Sequence, residues 1–376
     1  MAVVKPSIPW KNLTQRSLLK NFSPEDRYWM KEALKWALLG EGLTSPNPAV
    51  GAVLVKEGTL IGRGYHRKAG QAHAEIEAIE DAKKRGESVA GSTLYVTLEP
   101  CSSWGKTPPC TERIVKEKIS RVVASSPDPN PRNKPRAVEL LPSLGVDFSW
   151  EILEEALFLN RGFYHRILTG KPWVIGKIAM AIDGSLSAGV GEERWISGIA
   201  ARTVAHRLRM IADAILIGAQ TARTDNPRLT IRLVDPKGKI QPWRVIVSRS
   251  GNLPGDLFLF TDAFKERTLL FVKMPWERVL GELGSRDVGI LLVEGGAEVL
   301  HQLIKEGWIQ EVSFFLSPLI IGKQPLEDSS TDASFLSVPL ELVNPSWQKF
   351  DEDMYCHGLL EKGARFLERV RVEYAR

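Results

Sequence analysis

The chain is 376 residues long, 43% apolar and 25% charged, with a formal net charge of +5 spread along its length. That length suffices for two ordinary domains with cores of their own, and the modest, dispersed charge suits anionic small molecules rather than the basic footprint of a nucleic-acid binder. Three cysteines cannot form a disulfide framework, which suits a reducing cytoplasm, and no apolar stretch approaches the ~18 residues of a membrane span.

Residues 1–22 carry Lys5, Lys11, Arg16 and Lys20 with no acid before Glu25. They lack the apolar core of a signal peptide and read as a basic arm. From Pro24, the residues Tyr28, Trp29, Ala33, Trp36 and Ala37 mark an amphipathic helix capped by Ser23. After a turn at Ser45-Pro46-Asn47-Pro48, residues 50–55 and 60–65 alternate around Glu57-Gly58 as a hairpin. Helices at 73–84, 110–118 and 137–144 then alternate with strands at 93–97 and 121–124, which predicts an α/β layer fold. The segment ending in Leu168-Thr169-Gly170-Lys171-Pro172 reads as a boundary, so the expected division is an arm at 1–22, a first domain at 23–169 and a second at 170–376. The second series predicts a strand at 173–181 and a helix at 198–211, then strands at 214–217, 243–247, 268–272 and 290–293. A Glu294-Gly295-Gly296 turn, a helix at 297–306 and a strand at 311–316 close it, while 233–241 and 322–337 read as polar surface excursions.

The chemistry concentrates in His73-Ala74-Glu75, Pro100-Cys101 and Cys110, with Ser102 to Pro109 between the two cysteines. Neutral imidazole and two thiolates can hold three corners of a zinc tetrahedron and leave the fourth for water, whose pKa the metal lowers. An H-x-E followed by such cysteines is the pattern of zinc deaminases, in which the glutamate moves protons and is not a ligand. Cys110 falls at a predicted helix start, where unpaired N–H groups favour a thiolate.

Taken with Gly64-Tyr65-His66, Thr97-Leu98-Glu99-Pro100-Cys101, Gly105-Lys106-Thr107-Pro108-Pro109-Cys110 and Asp128-Pro129-Asn130-Pro131, these motifs resemble the bifunctional deaminase/reductases of riboflavin biosynthesis. Nucleoside and transfer-RNA deaminases use a shorter cysteine spacing. The resemblance covers nearly the whole chain from residue 24. It implies a cytidine-deaminase-like three-layer zinc domain followed by a dihydrofolate-reductase-like α/β domain, with Zn2+ and NADPH as cofactors. It also implies Glu75 as the catalytic acid/base, His73, Cys101 and Cys110 as ligands, and Asn47, His66, Lys106 and Asn130 as contacts to a phosphoribosylated diaminopyrimidinone. Two departures touch the substrate loops and not the metal set: Cys101-Ser102-Ser103 stands where the family usually reads Cys-Ser-His, and Arg132-Asn133-Lys134-Pro135-Arg136 replaces a glycine-rich run.

In the second half, the Glu294-Gly295-Gly296 turn between strand and helix is a candidate phosphate cradle. By the same resemblance Ala179, Trp195, Thr221, Asp225 and Gly296, Ala297, Glu298, Val299 and Leu300 would meet NADPH. Arg209, Leu229, Arg232 and Glu294 would hold the sugar-phosphate substrate, with Lys177 near the reacting centre. Glu193 and Ala181 stand where serines are usual, and a carboxylate at 193 opposes a substrate phosphate unless an arginine such as Arg194 intervenes. The expected partner is a small phosphoribosyl pyrimidine, with neither nucleic acid nor membrane, and the sequence leaves a homo-oligomer open. Three rivals remain: a deaminase with a weakened reductase, a structural zinc module joined to a nucleotide-binding regulatory domain, and a deaminase of nucleic acid.

Overall fold

A computed structural model of the chain describes residues 22–105, 108–185, 196–322 and 339–374. Their contacts form two compact units, one from the described residues up to Thr169 together with Leu367 onward, the other Gly170–Phe366.

The first unit begins with α1 (Pro24–Ala37), where Ser23 and Asp26 close a reciprocal capping box. The hairpin of β1 (Gly51–Lys56) and β2 (Thr59–Tyr65) leads to α2 (Ala74–Lys84), β3 (Thr93–Val96), α3 (Cys110–Lys116), β4 (Arg121–Ala124), α4 (Ala137–Ser143) and β5 (Asp147–Trp150). The sheet runs β2-β1-β3-β4-β5. In it, β1 is antiparallel to both neighbours, while β3, β4 and β5 run parallel. Two short helices, α5 (Glu154–Leu159) and α6 (Arg161–Thr169), follow where the sequence suggested only a turn-ending connector. The buried polar residues Asn160, Arg161 and His165 interrupt the apolar periodicity there. Close packing of α2 on the hairpin depends on glycine: a Cβ at Gly64 would lie 2.5 Å from the Ala78 nitrogen, and one at Gly62 would lie 2.3 Å from the Ala78 oxygen. The backbone contact they permit fixes where the first turn of α2 sits. Inside the same unit Asp26 accepts from the Tyr95 hydroxyl at 3.0 Å and from Arg121 at 2.9 and 3.0 Å, so this buried carboxylate is fully partnered.

The second unit comprises β6 (Trp173–Ala181), α7 (Ile199–Ile211), β7 (Ala214–Gly218), α8 (Ala219–Asp225), β8 (Trp243–Ser248), α9 (Phe258–Thr261), β9 (Thr268–Val272), α10 (Trp276–Ser285), β10 (Ile290–Val293), α11 (Ala297–Lys305), β11 (Glu311–Ser317), β12 (Val343–Phe350) and β13 (Asp353–Leu359). Its helix α12 (Glu361–Tyr374) ends in the residues grouped with the first unit. The eight strands run β12-β13-β11-β6-β10-β7-β8-β9. All from β11 to β9 are parallel, and β13 runs antiparallel to β11 and β12. The parallel strands read as continuous apolar runs because both faces are covered: every residue of β7 and β10 is buried. The chain leaves β6 toward β7, β8 and β9, then returns to insert β10 between β6 and β7. That reversal makes a switch point at the carboxyl ends of these strands, where sheets of this type take ligands.

Candidate functional site

Three elements of the first unit deliver the metal-binding side chains. His73 is the N-cap of α2, Glu75 lies in the first turn of that helix, and Cys110 opens α3. Cys101 lies on the loop beyond β3, tied down by the Cys110 N–H, which reaches its sulfur at 3.2 Å. The Nδ1 of His73 stands 3.5 Å from the Cys101 sulfur and 3.3 Å from that of Cys110. A tetrahedral zinc with bonds of 2.0–2.3 Å spaces its donors about 3.5 Å apart, so the set is already at ligand spacing. The three donor atoms lie within 4.8 Å of one another, and no other cluster of this kind occurs among the described residues. Donation from Cys110, then from His73, pulls the Cys101 thiol down to about 4, the thiolate a metal prefers. Glu75 is buried, and that burial pushes its carboxyl up to about 6.

His73, Glu75 and Cys101 line a cavity of about 460 Å³ together with Asn47, His66, Asp128 and Asn130. His66 donates from Nδ1 to the Ala72 carbonyl at 2.9 Å. Its Nε2 therefore carries the lone pair, and it accepts the Asn47 amide at 3.1 Å. Burial lowers the His66 pKa, which favours the neutral ring. The Asn47 side-chain oxygen is thereby fixed as its remaining acceptor. Asn130 is bent back on its own loop, with its N–H on Asp128 at 2.9 Å and its side-chain oxygen taking the Arg132 N–H at 3.1 Å. Lys106 lies outside the described residues.

Sequence reasoning missed several supports of this cavity. Asn160 brackets the Asn47 turn by accepting from the Ala49 N–H at 2.7 Å and donating to the Ala49 carbonyl at 3.0 Å. Glu99, almost fully buried, accepts from Arg136 at 2.6 Å and from the Asp128 N–H at 3.2 Å. The arginine of the unusual 132–136 run is thus a strut for the loop carrying Asn130. Phe163, Ser103 and Asn133 also line the cavity. The motifs gave no signal for Phe163, whereas Ser103 and Asn133 fall in the two departures that touch the substrate loops.

In the second unit, the β6, β7 and β10 ends gather most of the predicted residues. Arg209, on α7, meets Glu294, just beyond β10, with two parallel bonds of 2.6 and 2.7 Å, and gives a third to the Thr230 carbonyl at 2.8 Å. Burial alone would raise the Glu294 pKa, but Arg209 outweighs it and the net shift is downward. Lys177, on β6, has its pKa lowered by burial and stands 5.6 Å from the Phe315 ring centre. Leu229 is buried with φ of 50°, a left-handed backbone that a leucine adopts only under constraint, so its main chain is what it can offer a ligand. The Arg232 N–H reaches His206 Nδ1 at 3.2 Å. Burial first, then Arg209 and Arg232, pulls His206 down to about 4.

The cradle around the α11 start is built for close backbone approach. A Cβ at Gly295 would lie 2.9 Å from Ile217, and Gly296 has φ of 62° with Thr221 beside it. Ala297 and Glu298 are exposed, whereas the Val299 and Leu300 side chains are buried in the core, so those two can offer a cofactor only their main chain. Ala179 and Asp225 sit at the ends of β6 and α8. Open glycine backbone at a helix start suits a dinucleotide phosphate, and NADPH fits this donor set. Trp195, Glu193 and Arg194 lie outside the described residues, while Ala181 is fully buried.

The family model for the cytidine and deoxycytidylate deaminase zinc-binding region matches residues 23–126, and the model for the RibD C-terminal domain matches residues 172–356. The riboflavin biosynthesis protein RibD of Aquifex aeolicus is 38% identical over 319 residues, covering 79% of this chain and 88% of that protein. Its Escherichia coli counterpart is 33% identical over 329 residues, covering 79% and 89%. Among solved structures, RibD of Acinetobacter baumannii (form 1) superposes with a TM-score of 0.79 at 32% identity, covering 89% of this chain and 99% of that one. The Thermotoga maritima diaminohydroxyphosphoribosylaminopyrimidine deaminase/reductase gives 0.77 at 34%, with the same coverage. A zinc-deaminase half and a reductase half, matched together along most of both chains, make this chain a member of the RibD family of riboflavin-biosynthesis deaminase/reductases.

Proposed function

We propose that the chain deaminates a phosphoribosylated diaminopyrimidinone in residues 23–169 and reduces the ribosyl side chain of the product in the domain from residue 170 onward. The observation that carries this reading is the cluster of His73, Cys101 and Cys110 at a cavity that His73, Cys101 and the buried Glu75 line. His73, Cys101 and Cys110 would hold the zinc, which would supply Lewis acidity to the hydrolysis. The Glu75 carboxylate takes the proton of the attacking water and delivers it to the amino nitrogen, which leaves as ammonia. Asn47 and His66, locked to each other, orient the ring, and Lys106 and Asn130 complete the contacts. A purely structural zinc site has no need of Glu75.

In the second domain NADPH supplies the hydride when bound. Thr221, Asp225, Ala179, Trp195 and the backbone from Gly296 to Leu300 would hold it. Arg209, Arg232, Glu294 and the Leu229 main chain would bind the sugar-phosphate substrate, Arg232 through a planar fork suited to phosphate oxygens, while the Arg209 fork is taken up by Glu294. Lys177, made less basic by burial, would lie near the carbon that receives hydride. No helix of the described residues is long and apolar enough to cross a membrane, and we place the enzyme in the cytoplasm, acting on a free nucleotide. Purified protein offered the diaminopyrimidinone phosphate should release ammonia without NADPH and consume NADPH only when the pyrimidine is present. No ammonia from zinc-loaded protein would sink the reading.

A further inference from the structure

Two side chains without an assigned role meet at the wall of the zinc cavity. Ser103 lies on the loop between the two cysteines, Asn133 on the loop after β4, and both line the cavity. The Ser103 hydroxyl donates to Asn133 Oδ1 at 2.6 Å, and the Ser103 backbone N–H reaches the same oxygen at 3.4 Å. On its other side Asn133 Nδ2 donates to Asp128 Oδ2. A backbone N–H can only donate, so the atom facing Ser103 must be the amide oxygen, and the orientation of the amide is forced. Asp128 is itself anchored, accepting the Asn130 N–H at 2.9 Å and giving its own N–H to the buried Glu99 at 3.2 Å. This arrangement engages one Nδ2 hydrogen. The second meets no partner among the described residues.

We propose that Asn133 is a specificity-determining residue of the deaminase, offering its remaining amide hydrogen to an oxygen acceptor of the bound pyrimidine nucleotide while Ser103 and Asp128 fix its direction. The proposal rests on the deaminase reading above. Ser103 gives its hydroxyl hydrogen to the amide oxygen, so in this proposal it is a positioning residue that acts through Asn133. The clasp also gives the 132–136 run a second task beyond the Arg136 strut, since it joins the loop carrying Asn130 to the loop carrying Cys101.

The test is deamination kinetics of the full chain with Asn133→Ala, Ser103→Ala and the double variant, alongside zinc content. Loss of one neutral hydrogen bond predicts that Asn133→Ala raises KM roughly two- to tenfold, with kcat within about twofold and zinc retained. Ser103→Ala should raise KM less, because the backbone N–H still holds the amide, and the double variant should be no worse than Asn133→Ala alone. An unchanged KM in Asn133→Ala, or independent multiplying effects in the double variant, would overturn the proposal. Loss of zinc from both single variants would also overturn it, by making the pair a strut of the metal loop. These outcomes all require ammonia release by the unmodified protein; its absence would strike the deaminase reading instead.

Discussion

Arg209 and Glu294 give the sharpest quantitative expectation. The Arg209 side chain is 10% exposed and that of Glu294 is 9% exposed, and the arginine makes three short bonds, two to the carboxylate and one to the Thr230 carbonyl. Arg209→Met would keep the stem but leave a buried carboxylate and a carbonyl without their donor. Removing one partner of such a pair costs about 3–5 kcal/mol, whereas Arg209→Met with Glu294→Leu leaves no uncompensated charge and should recover most of that loss. Because burial raises the Glu294 pKa while Arg209 lowers it further, the folded carboxyl binds fewer protons than the unfolded one. Its share of stability is therefore present above the ordinary carboxylate pKa of ~4.3 and is lost as pH falls through and below it. The assay is urea denaturation of the four proteins of the cycle, followed by a probe specific to the second unit because two units need not melt together, and repeated across the acid range. A loss under about 1 kcal/mol in Arg209→Met, or additive effects around the cycle, would show that the pair is solvated and refute the reasoning.

Gly64→Ala should damage the deaminase selectively, because a methyl 2.5 Å from the Ala78 nitrogen and 2.7 Å from the Ala74 oxygen can enter only if α2 shifts. We expect a cost of about 1–3 kcal/mol, with slowed ammonia release and normal NADPH consumption on the deaminated intermediate; full deaminase activity would refute the packing argument. Cys101→Ser should lose zinc, as measured by metal analysis, and a full zinc complement in the Cys101→Ser, Cys110→Ser protein would rule the site out. His206 is held neutral in the fold, down to about 4, so the unfolded chain binds the extra proton first and stability falls as pH drops from ~6.5 toward 4. The upper bound is about 3 kcal/mol, and His206→Gln should flatten that slope in urea titrations; an unchanged slope would place the pH dependence elsewhere.

The zinc centre was legible because its signal is local. His73 and Glu75 share the first turn of one helix, and Cys110 opens another, so the sequence neighbourhood already carries the geometry. What holds the cavity walls was not legible, because those contacts join distant loops: Asn160 brackets Ala49 across 111 positions, and Asn133 reaches Ser103 across 30. The same holds in the second unit, where Arg209 and Glu294 both appeared as substrate contacts but nothing in their separation of 85 residues marks them as each other's partner. Strand β12 escaped because Asn344 and Pro345 break its alternation, which an edge strand tolerates. Helix α10 is readable in the sequence, since Trp276, Val279, Leu280 and Leu283 are buried at helical spacing, although the expected series has no helix between 272 and 290. Residues 154–169 hid two helices behind buried polar side chains, which serve the hydrogen bonding of this unit rather than an apolar stripe.

The most direct test of the central claim is ammonia release from the diaminopyrimidinone phosphate by Glu75→Gln, with zinc measured on the same sample. Glu75 is buried beside the ligand set and is not one of the three donors, so the variant should keep its zinc and its fold. It should lose roughly a hundredfold or more in turnover, the usual share of general acid/base catalysis. Near-normal ammonia release from the zinc-loaded variant would mean that another group moves the proton, and would contradict the account.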